Sequence, residues 1–418
     1  MSPALGIIAD DFTGALLVAG ELEAAGIPCD VLFTPAAARP EGDAPVAILA
    51  TRTRLAPKAE VLAVLAEAAA ALAGAGCPRL AYKACATFDS SESGNIGPAA
   101  DFLAARAGGP ALMSAGFPHY NVTVFQGYLF YRGRLVSESI KRFDPLTPMT
   151  DPDLVRFLSH QTQQSVALLP HARLREGIAA ARKAFDELRL QGNHVLADTA
   201  DDDDVAVTAR LAVESAAPVV ASDPMIIAYA RLVAAESVAP RPAPPRHVAG
   251  PATILAGSVG PIALTHLAHF GQQHPVLKLD LLDPRPEADI VSAAIDWAAA
   301  HLGATPFAIT TADDQDGVAR VQATHGPIGA ARRAETLLGA IAKGLHDRGV
   351  RRFVVAGGET SGAIVAALGL TRARALPAGS LGSGFCVAEG PGGRVSLFLK
   401  SGKLGAEDIF VRAIEAMA

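Results

Sequence analysis

Apolar residues along this chain follow two alternating rhythms. Unbroken runs at residues 5–9, 31–33, 46–50, 80–82, 111–114, 166–169, 195–197 and 219–221 are too short for helices and read as buried strands. Between them lie stretches with apolar positions at helical spacing, such as 15–25, closed by Gly26, and 61–73. Strand and helix in regular alternation predict an α/β fold with a mostly parallel sheet covered on both faces. Residues 123–137 break the rhythm, because Tyr131-Arg132-Gly133-Arg134 separates two strand-like segments and predicts a hairpin.

Prolines 240, 242, 244, 245 and 251 then crowd a segment that neither a helix nor a central strand continues. A linker is expected at 240–251, between one domain over 1–239 and a second over 252–418. Past it the strand-like runs resume at 253–256, 276–279, 307–310, 353–356 and 395–399, so the second domain is expected to be α/β as well. Two such domains with mostly parallel sheets predict an interdomain cleft, a favoured place for a ligand.

Composition narrows the choice of partner. Lys plus Arg is 36 against 42 for Asp plus Glu, a net charge of −6 with no basic block, so a nucleic-acid partner is not expected. Cys29, Cys77, Cys85 and Cys386 are scattered without a C-x-x-C pair, which predicts neither a zinc knuckle nor a disulfide framework and suits a cytoplasmic setting. No basic residue precedes the apolar run at 5–9, and Asp10 and Asp11 end it, so no signal peptide is expected. The longest uncharged stretches, 107–131 and 247–277, are broken by proline, His and Gln and fall short of the about 18 apolar residues of a membrane span. No membrane partner is expected.

In open α/β sheets ligands gather at the carboxyl ends of strands, so the residues just past each strand carry the candidate chemistry. Asp10-Asp11-Phe12-Thr13-Gly14 places two adjacent carboxylates there, which repel unless a cation or a helix N-terminus stabilises them. One could act as a base or hold magnesium while the other caps. Lys83 through Ser91, with Thr87 and Asp89, and then Asn95-Ile96-Gly97 combine a cation, hydroxyls and a helix start into a candidate anion site. Arg54 could clamp the same anion.

Three strand ends of the second domain carry phosphate-compatible turns: Gly257-Ser258, Gly357-Gly358-Glu359-Thr360-Ser361 and Lys400-Ser401-Gly402-Lys403. The chain has no P-loop, no dinucleotide fingerprint and no G-x-S-x-G elbow. His266 and His269 lack a local acidic or cysteine partner and read as one face of an amphipathic helix, and the acid run 201–204 reads as a solvated helix start.

At these same residues the chain resembles the four-carbon acid-sugar kinase family. The matching segments are Ile8 to Ala15, Lys83 to Asp89, Gly94-Asn95-Ile96-Gly97-Pro98, Gln126 to Phe130, Pro145 to Asp151, Gly357 to Gly362, Leu399 to Gly402 and Gly405 to Asp408. Residues 126–130 and 145–151 are most similar to the 3-oxo-tetronate 4-kinase branch, with D-threonate and D-erythronate 4-kinases as the alternatives. The resemblance implies a sugar-acid-binding N-terminal domain, a nucleotide-binding C-terminal domain and phosphorylation of the substrate 4-hydroxyl by ATP with Mg2+.

On this reading Asp10 and Asp11 are expected close to the reacting hydroxyls, and Arg54, Lys83, Thr87, Asp89, Asn95, Ile96 and Gly97 around the acid sugar. Ser258, Gly357, Gly358, Glu359, Thr360, Ser361, Ser401, Gly402 and Lys403 are expected to hold ATP, and no residue is assigned to the metal. A homodimer is compatible with this reading. Two rival classes are a non-catalytic acid-sugar binding protein and a nicotinamide-dependent oxidoreductase, the latter disfavoured by the missing fingerprint.

Overall fold

The computed structural model describes residues 3–39, 44–144, 147–235, 243–257, 260–303, 305–402 and 405–418. They pack as two compact units, Met1–Pro242 and Ala243–Ala418. Each is α/β with a mostly parallel sheet, as the alternation predicts.

The strands of the first unit are β1 (Leu5–Ala9), β2 (Cys29–Leu32), β3 (Val46–Ala50), β4 (Arg79–Lys83), β5 (Leu112–Ser114), β6 (Val122–Phe125), β7 (Tyr128–Tyr131), β8 (Arg134–Leu135), β9 (Val166–Leu169), β10 (His194–Ala197) and β11 (Val219–Ala221). Its helices are α1 (Phe12–Ala24), α2 (Lys58–Gly74), α3 (Ile96–Ala107), α4 (Leu154–Ser159), α5 (His171–Arg175), α6 (Ile178–Leu190), α7 (Asp202–Ser215) and α8 (Asp223–Ala235). Eight strands pair in the order β2-β3-β1-β4-β11-β5-β10-β9, all parallel. Every residue of β1 and β3 is buried, which is why these strands read as unbroken apolar runs.

Because β3 and β4 flank β1, the connections leave β1 in opposite directions and open a crevice past its carboxyl end. Asp10 and Asp11 occupy that point. Asp11 is also the N-cap of α1, its carboxylate accepting the Gly14 N–H at 2.6 Å.

Residues 122–135 form a three-stranded antiparallel sheet, β6-β7-β8, rather than a single hairpin. The Arg132-Gly133 turn was legible in the sequence. The additional turn, at Gln126-Gly127, puts both residues at positive φ (52° and 78°), and Asp198 holds it by accepting both N–H groups at 2.9 Å. The expected solvated acid run also needs correction at one position. Asp201 caps α7, but Asp204 is fully buried, where it accepts the Ala200 N–H at 2.8 Å and meets His171 Nδ1 at 2.9 Å.

The second unit contains β12 (Ala252–Ala256), β13 (Val276–Lys278), β14 (Phe307–Thr310), β15 (Arg352–Ala356), β16 (Arg372–Ala375), β17 (Phe385–Gly390) and β18 (Gly393–Lys400). Its helices are α9 (Pro261–Gly271), α10 (Glu287–Ala299), α11 (Gln315–Asp347, broken at Gly326-Pro327), α12 (Gly358–Ala367) and α13 (Ile409–Ala416). The strand order is β13-β14-β12-β15-β18-β17-β16, parallel through β18 and antiparallel beyond it. Strands β16 and β17 were not foreseen, because Arg372 and Arg374 interrupt the apolar signal of the first and the second pairs through a Pro391-Gly392 turn. His266 lies on α9, buried and edge-on to Phe410, and among the described residues no group of three or more His, Cys, Asp or Glu could hold a metal ion. Among them, too, no helix is long and apolar enough to cross a membrane.

Asp198 also accepts the His171 N–H at 2.9 Å, so one buried carboxylate satisfies three backbone donors. Asp198→Ala is expected to cost about 2 to 3 kcal/mol in urea unfolding, whereas Asp202→Ala at the exposed start of α7 should cost less than about 0.5 kcal/mol.

Candidate active site

The residues past β1, β3, β4 and β11 converge on one buried cluster of charges. Arg54, on the loop after β3, donates through Nε and Nη2 to both oxygens of Asp10, at 2.8 and 3.0 Å. The same guanidinium reaches Asp11 Oδ2 at 2.8 Å. Lys83, the last residue of β4, is only 2% exposed and pairs with Asp223 at 3.1 Å, with Asp10 at 3.9 Å and Asp11 at 4.0 Å. The adjacent carboxylates are thus tolerated because two cations lie between them.

Burial opposes ionisation of Asp11, yet Arg54, Lys83 and the Gly14 N–H outweigh it and hold the group below the usual carboxylate range. Burial likewise disfavours the Lys83 ammonium, but Asp223, Asp11 and Asp10 together raise it above an ordinary lysine. At Asp223 burial prevails over the pull of Lys83, and this acid is pushed up. Asp223 was missed by sequence reading, although it follows a strand that was recognised. The strand-end rule applied at β11 would have found it.

The expected anion loop is used differently from the way its sequence suggested. The Asn95 amide donates to the carbonyls of Thr53 at 2.7 Å and Ala56 at 2.8 Å, which fixes the loop that carries Arg54. Below it Thr51, Thr53 and Tyr82 form a hydrogen-bonded string, with contacts of 2.8 and 3.0 Å. The Gly97 N–H, expected to face an anion, instead donates to Gln161 Oε1 at 3.0 Å. Ile96 begins α3 and is buried in the core of its unit. Thr87 donates to Asp89 at 2.6 Å, and Lys141, which no sequence motif singled out, meets the other oxygen of Asp89 at 2.6 Å.

A cavity of about 700 Å³ opens beside this cluster, lined by Arg54, Lys58, Ser90, Ser91, Asn95 and His160 among others. Asn95 Oδ1 is buried there without a hydrogen-bond partner. Cations at the rim, hydroxyls along a wall and an unsatisfied acceptor suit a small polyhydroxylated acid.

In the second unit the glycine-rich turn follows β15. Gly357 has φ 124°, its N–H donates to the Lys400 carbonyl at 3.1 Å, and α12 begins at Gly358. Gly358 and Glu359 are exposed, while Thr360 is buried so close to Gly257 that a Cβ at Gly257 would collide with its hydroxyl. The Ser361 hydroxyl was expected to face a ligand but is fully buried and donates to the Gly357 carbonyl at 2.8 Å. Ser401 and Gly402 follow β18, and the expected Ser258 and Lys403 lie outside the described residues.

Comparison with known proteins decides what these two units are. Residues 5–230 match a family described as a sugar-binding N-terminal domain, and residues 253–410 match a nucleotide-binding C-terminal domain. The chain is 37% identical to the 3-oxo-tetronate kinase of Methylobacterium radiotolerans over 100% of both sequences, and 32% identical to that of Salmonella typhimurium over 98% of both. The chain belongs to the four-carbon acid sugar kinase family. Among solved structures, a Salmonella typhimurium LT2 protein superposes with a TM-score of 0.83 at 30% identity over 98% of each chain. A Haemophilus influenzae protein follows at 0.75 and 26% identity over 99% of this chain and 100% of its own. The oxidoreductase and binding-protein readings are not favoured, and the chain is an ATP-dependent kinase.

Two variants test the charge cluster of the kinase. A Cβ at Gly14 would fall on the Lys83 ammonium, so Gly14→Ala should displace that group and lower kcat about 10-fold or more in steady-state kinetics. Asp223→Asn removes the nearest counter-charge of Lys83 and is expected to lower kcat by a similar factor while the circular-dichroism spectrum stays that of the parent.

Proposed function

We propose that this kinase transfers the γ-phosphoryl group of ATP to the 4-hydroxyl of 3-oxo-tetronate. The observation that carries the reading is the full-length similarity to proteins named 3-oxo-tetronate kinase, at 31 to 37% identity. Arg54, which joins the charge cluster to the wall of the cavity, supports it. In this proposal Arg54, already oriented by Asp10 and Asp11, receives the substrate carboxylate from the cavity side. Asn95 Oδ1 accepts from a substrate hydroxyl, and Lys83 helps to keep Asp11 ionised from beneath.

Asp11 is the group assigned to the 4-hydroxyl proton. Its side chain is 22% exposed against 4% for Asp10. A carboxylate held below the usual range is a weak base, but phosphoryl transfer depends more on aligning the nucleophile than on removing its proton early. Gly358, Glu359, Thr360, Ser401 and Gly402 are proposed to border the nucleotide. The Gly97 N–H and the Ser361 hydroxyl are left out, because protein groups already occupy them.

Magnesium accompanies ATP as a counter-ion to its phosphates. The Asp10–Asp11 pair does not fit as a cage for it, since Arg54 and Lys83 already neutralise those oxygens. No step is assigned to the metal.

A coupled ADP-release assay with ATP, magnesium and a panel of 3-oxo-tetronate, D-threonate, D-erythronate and L-threonate tests the substrate. The highest kcat/KM is expected with 3-oxo-tetronate, and turnover of another acid alone would reassign it. Asp11→Asn keeps an N-cap acceptor for Gly14 and should fold, yet is expected to lose on the order of 100-fold in kcat. An unchanged kcat would remove Asp11 from the proton transfer.

A further inference from the structure

The second unit holds a cation for which no counter-charge has been described. Lys400 ends β18 at 5% exposure, its ammonium donating to the Ser401 carbonyl at 2.7 Å and lying 5.6 Å from the centre of the Phe410 ring. Among the described residues no carboxylate lies within ion-pair distance of it. Burial alone pushes Lys400 down to about 8. A second basic group is close by: His266 on α9 is 1% exposed, its Nδ1 is buried without a partner, and burial together with the charge of Lys400 lowers it.

The acids on the surrounding elements are engaged or turned to solvent. Glu359 on the first turn of α12 and Glu407 ahead of α13 are exposed, and Asp408 lies 3.8 Å from Arg412 of α13. A buried cation without an acidic partner therefore sits at the carboxyl end of β18, where its own carbonyl accepts the Gly357 N–H, with His266 of α9 close enough to feel its charge. A buried ammonium without a carboxylate either gives up its proton or is completed by another anion.

We infer that Lys400 is a phosphate-binding residue of the nucleotide site, its ammonium completed by a phosphate oxygen of ATP. The inference rests on the reading that the second unit binds ATP. An arriving phosphate supplies the missing negative charge, so a Lys400 that has lost its proton regains it on binding, and ATP affinity becomes coupled to proton uptake on the alkaline side of neutrality.

Isothermal titration of the full-length protein with magnesium–ATP at pH 8, in two buffers of different ionisation heat, measures that uptake. The wild type is expected to take up about half a proton at pH 8 and close to none at pH 6.5. Lys400→Met should bind ATP roughly 10- to 100-fold more weakly, without the uptake. Adenosine, which lacks phosphates, should bind both proteins alike and move no proton in either. A folded Lys400→Met protein with wild-type affinity for ATP would overturn the inference. If that variant does not fold, Lys400→Gln takes its place, and wild-type affinity for ATP in that folded variant overturns the inference just as well. A wild type that binds no ATP at all would instead remove the nucleotide reading on which the inference rests.

Discussion

The candidate site depends on one fork of hydrogen bonds, the Arg54 guanidinium spread across Asp10 and Asp11. Without it, two carboxylates on consecutive residues at a buried strand end would repel, and one would take up a proton. With it, Asp11 is held ionised and the guanidinium is fixed in one orientation. The surrounding architecture serves that contact. The Thr51–Thr53–Tyr82 string and the Asn95 amide fix the loop of Arg54, Lys83 balances the acids from below, and Gly14 leaves the space that the Lys83 ammonium occupies.

Most of this fold was legible in the sequence because parallel strands buried on both faces must be continuously apolar. The runs at 5–9, 46–50, 166–169 and 219–221 are strands over those same residues, and the others of the first unit shift by one or two. What escaped were strands whose signal is weaker by construction. β16 alternates arginine with alanine, and the turn at Gln126-Gly127 is set by a carboxylate 72 residues further on, which no local pattern reveals.

The site was legible as a set of strand ends, but not as a set of contacts. Asp10, Asp11, Arg54 and Lys83 do meet, because parallel strands deliver their carboxyl ends to one edge. Sequence reasoning could not tell which polar groups would be spent on the protein itself. Gly97, Ser361 and the Asn95 amide have the residue types and positions of ligand contacts, and each is satisfied internally. Lys141 and Gln161 lie outside any recognisable pattern and are tied in by contacts distant in sequence, an ion pair to Asp89 and hydrogen bonds with Gly97 and Ser91.

The position of β11 has a consequence for how the protein comes into being. This strand, at residues 219–221, inserts between β4 and β5, and the acid that partners Lys83 follows it directly. On the ribosome, Lys83 is therefore made well over a hundred residues before Asp223, and the middle of the sheet stays open until nearly all of the first unit has been synthesised. During that interval an apolar edge stays open and Lys83 lacks its nearest counter-charge, a state prone to mispairing. The charge cluster closes only when the sheet does, so a competent centre also certifies that the unit around it has finished folding.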